Sequence, residues 1–146
     1  MAIKLNLRRL HKNLFRYLNQ EMGLDFEYTF ENDKIVAKND LTINGIDDDI
    51  LAKLTVYQDG LFVLELVFDK LDYSEESLRY LNTFNEDALA VKAYIRNDGY
   101  LVLDYTVITL SEDTVIENLR ISLNHIVGDK MRDILHALTD LTYSNN

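Results

Sequence analysis

Residues 88–141 constrain the fold most, because they predict two strands, a tight turn and a long helix in succession. Apolar and polar residues alternate before Asn97-Asp98-Gly99 and again over 100–109, which is the period of a half-buried strand. The Asn-Asp-Gly turn tolerates positive φ and predicts a chain reversal. Ser111 supplies a capping oxygen for the helix that follows. A two-stranded ribbon and an amphipathic helix both need an apolar surface to bury against, so the rest of the chain must complete the sheet.

Two further strand pairs are predicted by the same alternation, each joined by a polar turn: 26–31 with 34–38, and 51–57 with 61–68. The strand over 61–68 is apolar on both faces apart from Glu65. Such a strand is either central in the sheet, with both faces covered by other parts of the domain, or it places one face against a partner. Val63 and Val67 lie on the face of this strand that is less clearly assigned to the core. We predict that they contact a partner.

Three helices complete the prediction. The first runs from Ile3 to Met22 along an apolar stripe, and Gly23 ends it as a left-handed cap. A short second helix is capped by Asp72 or Ser74, which leaves two alternatives. The third begins after Ser111. Within it, Gly128 marks a bend, a close helix contact or the end of the first of two helices.

These elements predict a single α+β domain over residues 1–146, with an antiparallel sheet of about five strands. An N-terminal helix, a short middle helix and a long C-terminal helix pack mainly on one face of it. The residues expected in the core are Leu7, Leu10, Leu14, Phe26, Tyr28, Leu54, Phe62, Leu64, Leu66, Leu81, Val91, Ile95, Val102, Leu119, Leu123 and Ile134.

The charge of the chain is unevenly distributed. Overall it carries 15 basic against 25 acidic residues, a net charge of −10, which disfavours direct binding to nucleic acid. No acidic residue precedes Glu21, whereas Arg8, Lys12 and Arg16 recur every four residues on the first helix. Like charges at this spacing destabilise an isolated helix, so we expect compensation nearby. It comes either from the domain's own carboxylates and solvent, or from an acidic partner or a phosphate backbone.

The sequence carries no pattern that marks catalysis. There is no cysteine, and His125 and His136 stand roughly 16 Å apart along a helix, too far to share one metal ion. The polar stretch 39–49 contains Asp47-Asp48-Asp49 but lacks the ligand spacing of an EF-hand loop, and we predict a solvated loop there. We therefore expect no enzyme activity, no metal and no cofactor. With no signal peptide or membrane-spanning apolar run, the expected location is cytoplasmic.

The C-terminal half carries a family resemblance. Leu81-Asn82-Thr83-Phe84-Asn85 closes a short helix, Leu101-Val102-Leu103-Asp104-Tyr105 forms the returning strand, and Leu110-Ser111-Glu112-Asp113 opens the last helix. These segments, and the order of the elements, resemble the YbjN family within the type III secretion chaperone-like fold. The loop at 39–49 departs from that pattern. The resemblance implies a small acidic dimer that binds protein without catalysis. Secretion chaperones of this fold hold a partner segment in extended form over apolar patches.

The functional prediction is a non-catalytic protein-binding module, chaperone- or adaptor-like and homodimeric, with Arg8, Lys12, Arg16, Val63 and Val67 as contact residues. One alternative is an acidic inhibitor from a mobile element that mimics nucleic acid, with carboxylates at Asp25, Glu27, Glu31, Asp47, Asp48 and Asp49. Another uses the basic first helix as the contact for an acidic protein or for nucleic acid.

Overall fold

The computed structural model describes residues 3–41, 50–70, 74–87 and 91–127. Three α-helices and a π-helix accompany six strands, with these bounds: α1 Leu7–Leu14, π-helix Phe15–Glu21, β1 Glu27–Glu31, β2 Lys34–Leu41, β3 Ile50–Tyr57, β4 Leu61–Lys70, α2 Glu75–Asp87, β5 Val91–Ile95, β6 Tyr100–Ile108 and α3 Glu112–Val127. All the strand pairs are antiparallel, in the order β1-β2-β3-β4-β6-β5. The predicted α+β class is confirmed, with six strands instead of about five.

The first helix differs from the prediction at its start and in its second half. It begins at Leu7, where the Asn6 side chain accepts a hydrogen bond from the Arg9 amide at 3.1 Å. Before that cap, the Leu5 amide donates to the Gln58 carbonyl at 2.8 Å and ties the chain to the β3–β4 turn. From Phe15 onward the helix is π-helical instead of α-helical. The expectation of one α-helix from Ile3 was therefore wrong in these two respects.

Serine side chains cap the N-termini of the other two α-helices. Ser74 Oγ accepts from the Ser77 amide at 3.1 Å, and Ser111 Oγ accepts from the Thr114 amide at 3.2 Å. Ser74 is thus the cap of α2, one of the two residues considered for that position. Asp72, Gly128, His136 and the predicted continuation of α3 to Leu141 lie outside the described residues.

The helices lie on one face of the sheet and form the core with it, as predicted. We call this the covered face. Leu10, Leu14 and Leu119 from the helices pack with strand residues such as Leu54 and Phe62 in one buried cluster. Most of the predicted core residues belong to that cluster. The exceptions are Leu7, Tyr28 and Ile95, which are partly buried against it, Val102, which is buried on the opposite face, and Ile134, which lies outside the described residues.

Helix α2 carries the chain from β4 to the edge strand β5, and Asn85 near its end closes that edge. The Asn85 Oδ1 accepts from the Ala93 amide at 2.7 Å, while its Nδ2 donates to the Ala93 carbonyl at 2.9 Å. One side-chain amide thus makes the pair of hydrogen bonds that a neighbouring strand would make. An exposed edge is a template for unwanted pairing, and Asn85 occupies part of it.

Candidate partner-binding surfaces

The three predicted basic residues form an exposed stripe on the outer side of the first helix. Arg8 and Lys12 lie on α1 and Arg16 on the π-helix that continues it. Because Leu10 and Leu14 point into the core, the stripe faces away from the sheet. Among the described residues, none of the three cations forms a salt bridge of 4 Å or shorter.

Arg16 has different surroundings from Arg8 and Lys12. It lines a groove of about 290 Å³ between the π-helix and α3, and three carboxylates line the same groove: Glu21, Asp113 and Glu117. The expectation that the domain's own acids compensate the stripe therefore agrees with the position of Arg16. Arg8 and Lys12 face no carboxylate at ion-pair distance in the described part of the chain.

An aromatic cluster that was not predicted from the sequence borders the stripe. The His11 ring lies 4.8 Å from the Tyr28 ring and 4.9 Å from the Phe30 ring, both edge-on, and 6.5 Å from Phe15. Phe15 is 42% exposed and Phe30 is 51% exposed. Since His11 and Phe15 alternate along the helix with Lys12 and Arg16, cations and exposed aromatic rings form one continuous surface.

Tyr28 anchors this cluster to the fold. Its hydroxyl donates to Asn19 Oδ1 at 2.8 Å, and Asn19 Nδ2 donates to the Phe26 carbonyl at 3.0 Å. Burial raises the pKa of Tyr28 to about 12. The inner side of the cluster is therefore a fixed part of the domain, whereas Phe15 and Phe30 are presented to solvent.

The second candidate surface is the face of the sheet opposite the described helices, which we call the open face. Val63 and Val67 lie there, both half-buried, as the strand pattern predicted. Over β1 to β4 this face encloses a shallow cavity of about 240 Å³ whose lining includes Val36, Thr55 and Val63. Val63 and Val67 lie on the other side of the sheet from the basic stripe, so the structure does not unite the five predicted contact residues in one site.

Charges on the open face are mixed in sign. Glu27 pairs with Lys38 across β1 and β2, and Glu31 pairs with Lys34 in the same way. The Lys34 Nζ lies 3.1 Å from Glu31 Oε2, and that hydrogen bond, with the carboxylate charge, raises the pKa of Lys34. An inhibitor that mimics nucleic acid, the alternative function, needs aligned carboxylates without lysines beside them. Asp47-Asp48-Asp49 lies outside the described residues, and the alternative stays a prediction.

Within the described ranges there is no group of three or more His, Cys, Asp or Glu residues that could hold a metal ion. None of the helices in those ranges has the length and apolar character that a membrane crossing requires. His11 packs against aromatic rings, and the side chain of His125 is not among those the structure describes.

The comparison with protein families matches residues 18–128 to the YbjN family model, described as "Putative bacterial sensory transduction regulator". The chain belongs to the YbjN family. The match extends from the π-helix to the end of α3, which confirms the family resemblance inferred from the sequence. It includes Val63 and Val67, whereas the stripe residues Arg8, Lys12 and Arg16 precede it. No curated protein and no solved structure matches the chain. The likeness of this YbjN chain to secretion chaperones stays a prediction.

Proposed function

We propose that this YbjN-family protein is a non-catalytic regulator that acts by binding another protein, as an adaptor or chaperone-like module. The family description as a regulator of sensory transduction supports a regulatory role. The observation that carries the proposal is the stripe of three exposed cations without ion pairs among the described residues, next to exposed Phe15 and Phe30. Such a surface fits an acidic protein segment that also carries apolar side chains.

Physical chemistry favours this pairing over solvent exposure alone. Arginine and aromatic side chains are enriched at protein interfaces, where rings supply contact area and cations orient the partner. Holding three like charges on one helix face costs stability, and a partner carboxylate relieves that repulsion. The remainder of the chain is acidic, so the stripe is also the place where a negatively charged segment meets least repulsion.

An acidic protein segment fits better than nucleic acid. Duplex DNA carries about one charge per 1.7 Å, so a chain of net charge −10 repels it strongly. A protein segment with a few carboxylates meets the same repulsion in proportion to its smaller charge, and its apolar residues gain contact with Phe15 and Phe30.

The test measures binding of a fluorescent synthetic peptide of alternating Glu and Leu by anisotropy. We expect neutralising Arg8→Gln, Lys12→Gln and Arg16→Gln together to weaken the peptide complex by about tenfold or more. The melting temperature should change little, because all three side chains are exposed.

The matched control neutralises three exposed cations away from the stripe: Arg79→Gln, Arg96→Gln and Lys38→Gln. It makes the same change in net charge on other parts of the surface. Equal losses in both triple variants would show that net charge alone attracts the peptide and would contradict the proposal. Stronger binding of a single-stranded oligonucleotide than of the peptide would contradict it as well.

A further inference from the structure

The cavity of about 240 Å³ on the open face has a floor of short side chains and walls that contain three lysines. The strand register places Val36, Thr55 and Val63 side by side on β2, β3 and β4, and these residues form the floor. The lysines flank it on both sides: Lys38 and Lys53 along one edge, and Lys34 along the other. We call this space the lysine cavity.

Two of the lysines stand directly opposite each other. Lys38 on β2 is the register partner of Lys53 on β3, so their Cβ atoms are about 4.5–5.5 Å apart. Like charges directly opposite each other in a sheet are destabilising. Among the described residues, neither ammonium group has a carboxylate within 4 Å. An anion that contacts both lysines relieves this repulsion.

Thr55 is a second and independent sign of a ligand. It is only 6% exposed, and its hydroxyl has no hydrogen-bond partner in the described part of the chain. Buried hydroxyl groups are nearly always paired, and an unpaired one costs stability. Because Thr55 lies on the floor between the lysine walls, its hydroxyl is placed to donate to an oxygen in the cavity. Thr29 and Tyr57 bring two further hydroxyls to the rim.

Two carboxylates also line the lysine cavity, and each acts on another group. Glu31 Oε2 lies 3.1 Å from Lys34 Nζ, which in turn lies 5.2 Å from the centroid of the Tyr57 ring. After burial, the charge of Glu65 is the next cause that raises the pKa of Tyr94, on β5 and away from the cavity. Three lysines and two carboxylates leave the cavity with a net charge of +1, in a chain whose net charge is −10.

The lysine cavity opens to solvent at its rim, where Thr29 and Lys38 are exposed. Val102, a fully buried residue of the open face, lies elsewhere on the sheet. It is the register partner of Val67, which is four residues along β4 from Val63, and it does not line the cavity. The burial of Val102 therefore leaves the cavity accessible.

From these features we infer that the lysine cavity binds a phosphate group, either as free phosphate or as part of a small phosphorylated molecule. A phosphate monoester carries about −1.5 to −2 charges at pH 7, enough to neutralise both Lys38 and Lys53, whereas one carboxylate neutralises a single lysine. Lysine binds phosphate as a point charge, while carboxylates are typically held by the fork of an arginine, and the described lining contains none. The volume lies below the range of about 300–1,000 Å³ for drug-sized ligands, so the ligand is small.

The experiment titrates the full chain with inorganic phosphate or with glycerol 3-phosphate, in a phosphate-free buffer, and follows its amide signals by NMR. We expect shifts at the amides of Val36, Thr55 and Val63 and a Kd of about 1 mM or lower. Tighter binding of glycerol 3-phosphate would identify a phosphorylated molecule as the ligand, and equal or tighter binding of inorganic phosphate would identify free phosphate. Unshifted cavity amides, or succinate bound as tightly as phosphate, would overturn the inference.

Single lysine variants locate the site. Lys38→Gln and Lys53→Gln should each weaken phosphate binding by about tenfold or more, because each removes a charged hydrogen-bond donor. Lys12→Gln on the basic stripe is the matched control and should keep the affinity for phosphate. An equal loss in the control would mean that net charge alone attracts the anion, contrary to the inference. Since the stripe lies on the other side of the sheet, phosphate binding and peptide binding can fail independently.

Thr55→Val tests the floor of the lysine cavity with a readout that separates binding from folding. The variant should weaken phosphate binding by about fivefold or more, because it removes a donor of similar volume. Its midpoint of urea unfolding without phosphate should be unchanged or higher, since the buried unpaired hydroxyl is gone. A lower midpoint with unchanged phosphate affinity would give the hydroxyl a structural role and would contradict the inference.

Discussion

On strand β4, Phe62 and Leu64 are 0% and 2% exposed beneath the helices, whereas Val63 and Glu65 between them lie half-buried on the open face. The covered face is apolar along nearly its whole surface, and the open face alternates rows of β-branched, charged and apolar residues. The comparison shows that adjacent residues of one strand have different roles, because their side chains point to opposite faces of the sheet. On β4, covered positions hold the domain together, whereas the open-face positions between them stay partly exposed.

The largest expected effect comes from removing a covered aromatic side chain. Phe62→Ala should lower the free energy of unfolding by about 3–5 kcal/mol, because it leaves a cavity beside Tyr105, whose ring lies 6.0 Å away. Urea unfolding measures the loss. The matched control, Val63→Ala on the next residue, should cost about 1 kcal/mol or less. Equal losses at the two positions would contradict the division of tasks between the faces.

A smaller effect is expected at the edge of the sheet, which neither face protects. Asn85→Ala should cost about 1–3 kcal/mol, because the Ala93 amide and carbonyl both lose a partner. Hydrogen exchange should show faster exchange at the Ala93 amide than in the unmodified chain. Asn82→Ala, at an exposed position of the same helix, is the control. Unchanged exchange at Ala93 would show that Asn85 does not close the edge.

The smallest expected effect is a difference in alkaline stability between the two faces. Burial raises the pKa of Tyr28 on the covered side to about 12 from its usual 10.0. The unfolded chain therefore loses this proton first, so stability is full below pH 10 and declines as the pH rises toward 12. Since Tyr28 is half-exposed, we expect its share to be under about 1 kcal/mol. Tyr28→Phe should make the decline of the urea midpoint between neutral pH and about pH 11 less steep.

Tyr94 on the open face provides the comparison for that measurement. Burial, followed by the charges of Glu65 and Asp104, raises the pKa of Tyr94. Because charges contribute there, added salt should reduce the pKa shift of Tyr94 more than that of Tyr28. Tyr28→Phe also removes a hydrogen bond to Asn19, so only the slope with pH is diagnostic. An unchanged slope would show that Tyr28 titrates as an unburied phenol.

Local sequence patterns predicted the elements that depend on local chemistry. Alternation located the strands on both sides of Gly60 and Gly99, and both glycines have the positive φ expected in turns. Ser111 caps α3 as its hydroxyl and position indicated. These features follow from the preferences of a few neighbouring residues, which a sequence shows directly.

Features that depend on the meeting of distant segments were not predicted. In the sheet β6 lies between β4 and β5, and no local pattern specifies that order. The cluster of His11, Phe15 and Phe30 likewise needs the first helix to cross β1. A clue to it existed in the alternation that directed Phe30 to the covered side. The π-helix was missed because its apolar residues still follow approximate helical spacing.

The contribution of Asn85 also limits how large an assembly of this protein can become. A sheet grows indefinitely when each outer strand recruits another, as happens in fibrils. At β5 the position beside Ala93 is already taken by the chain's own amide. Lateral extension of the sheet past β5 is therefore obstructed at this position, and this edge resists the strand-by-strand growth that leads to fibrils.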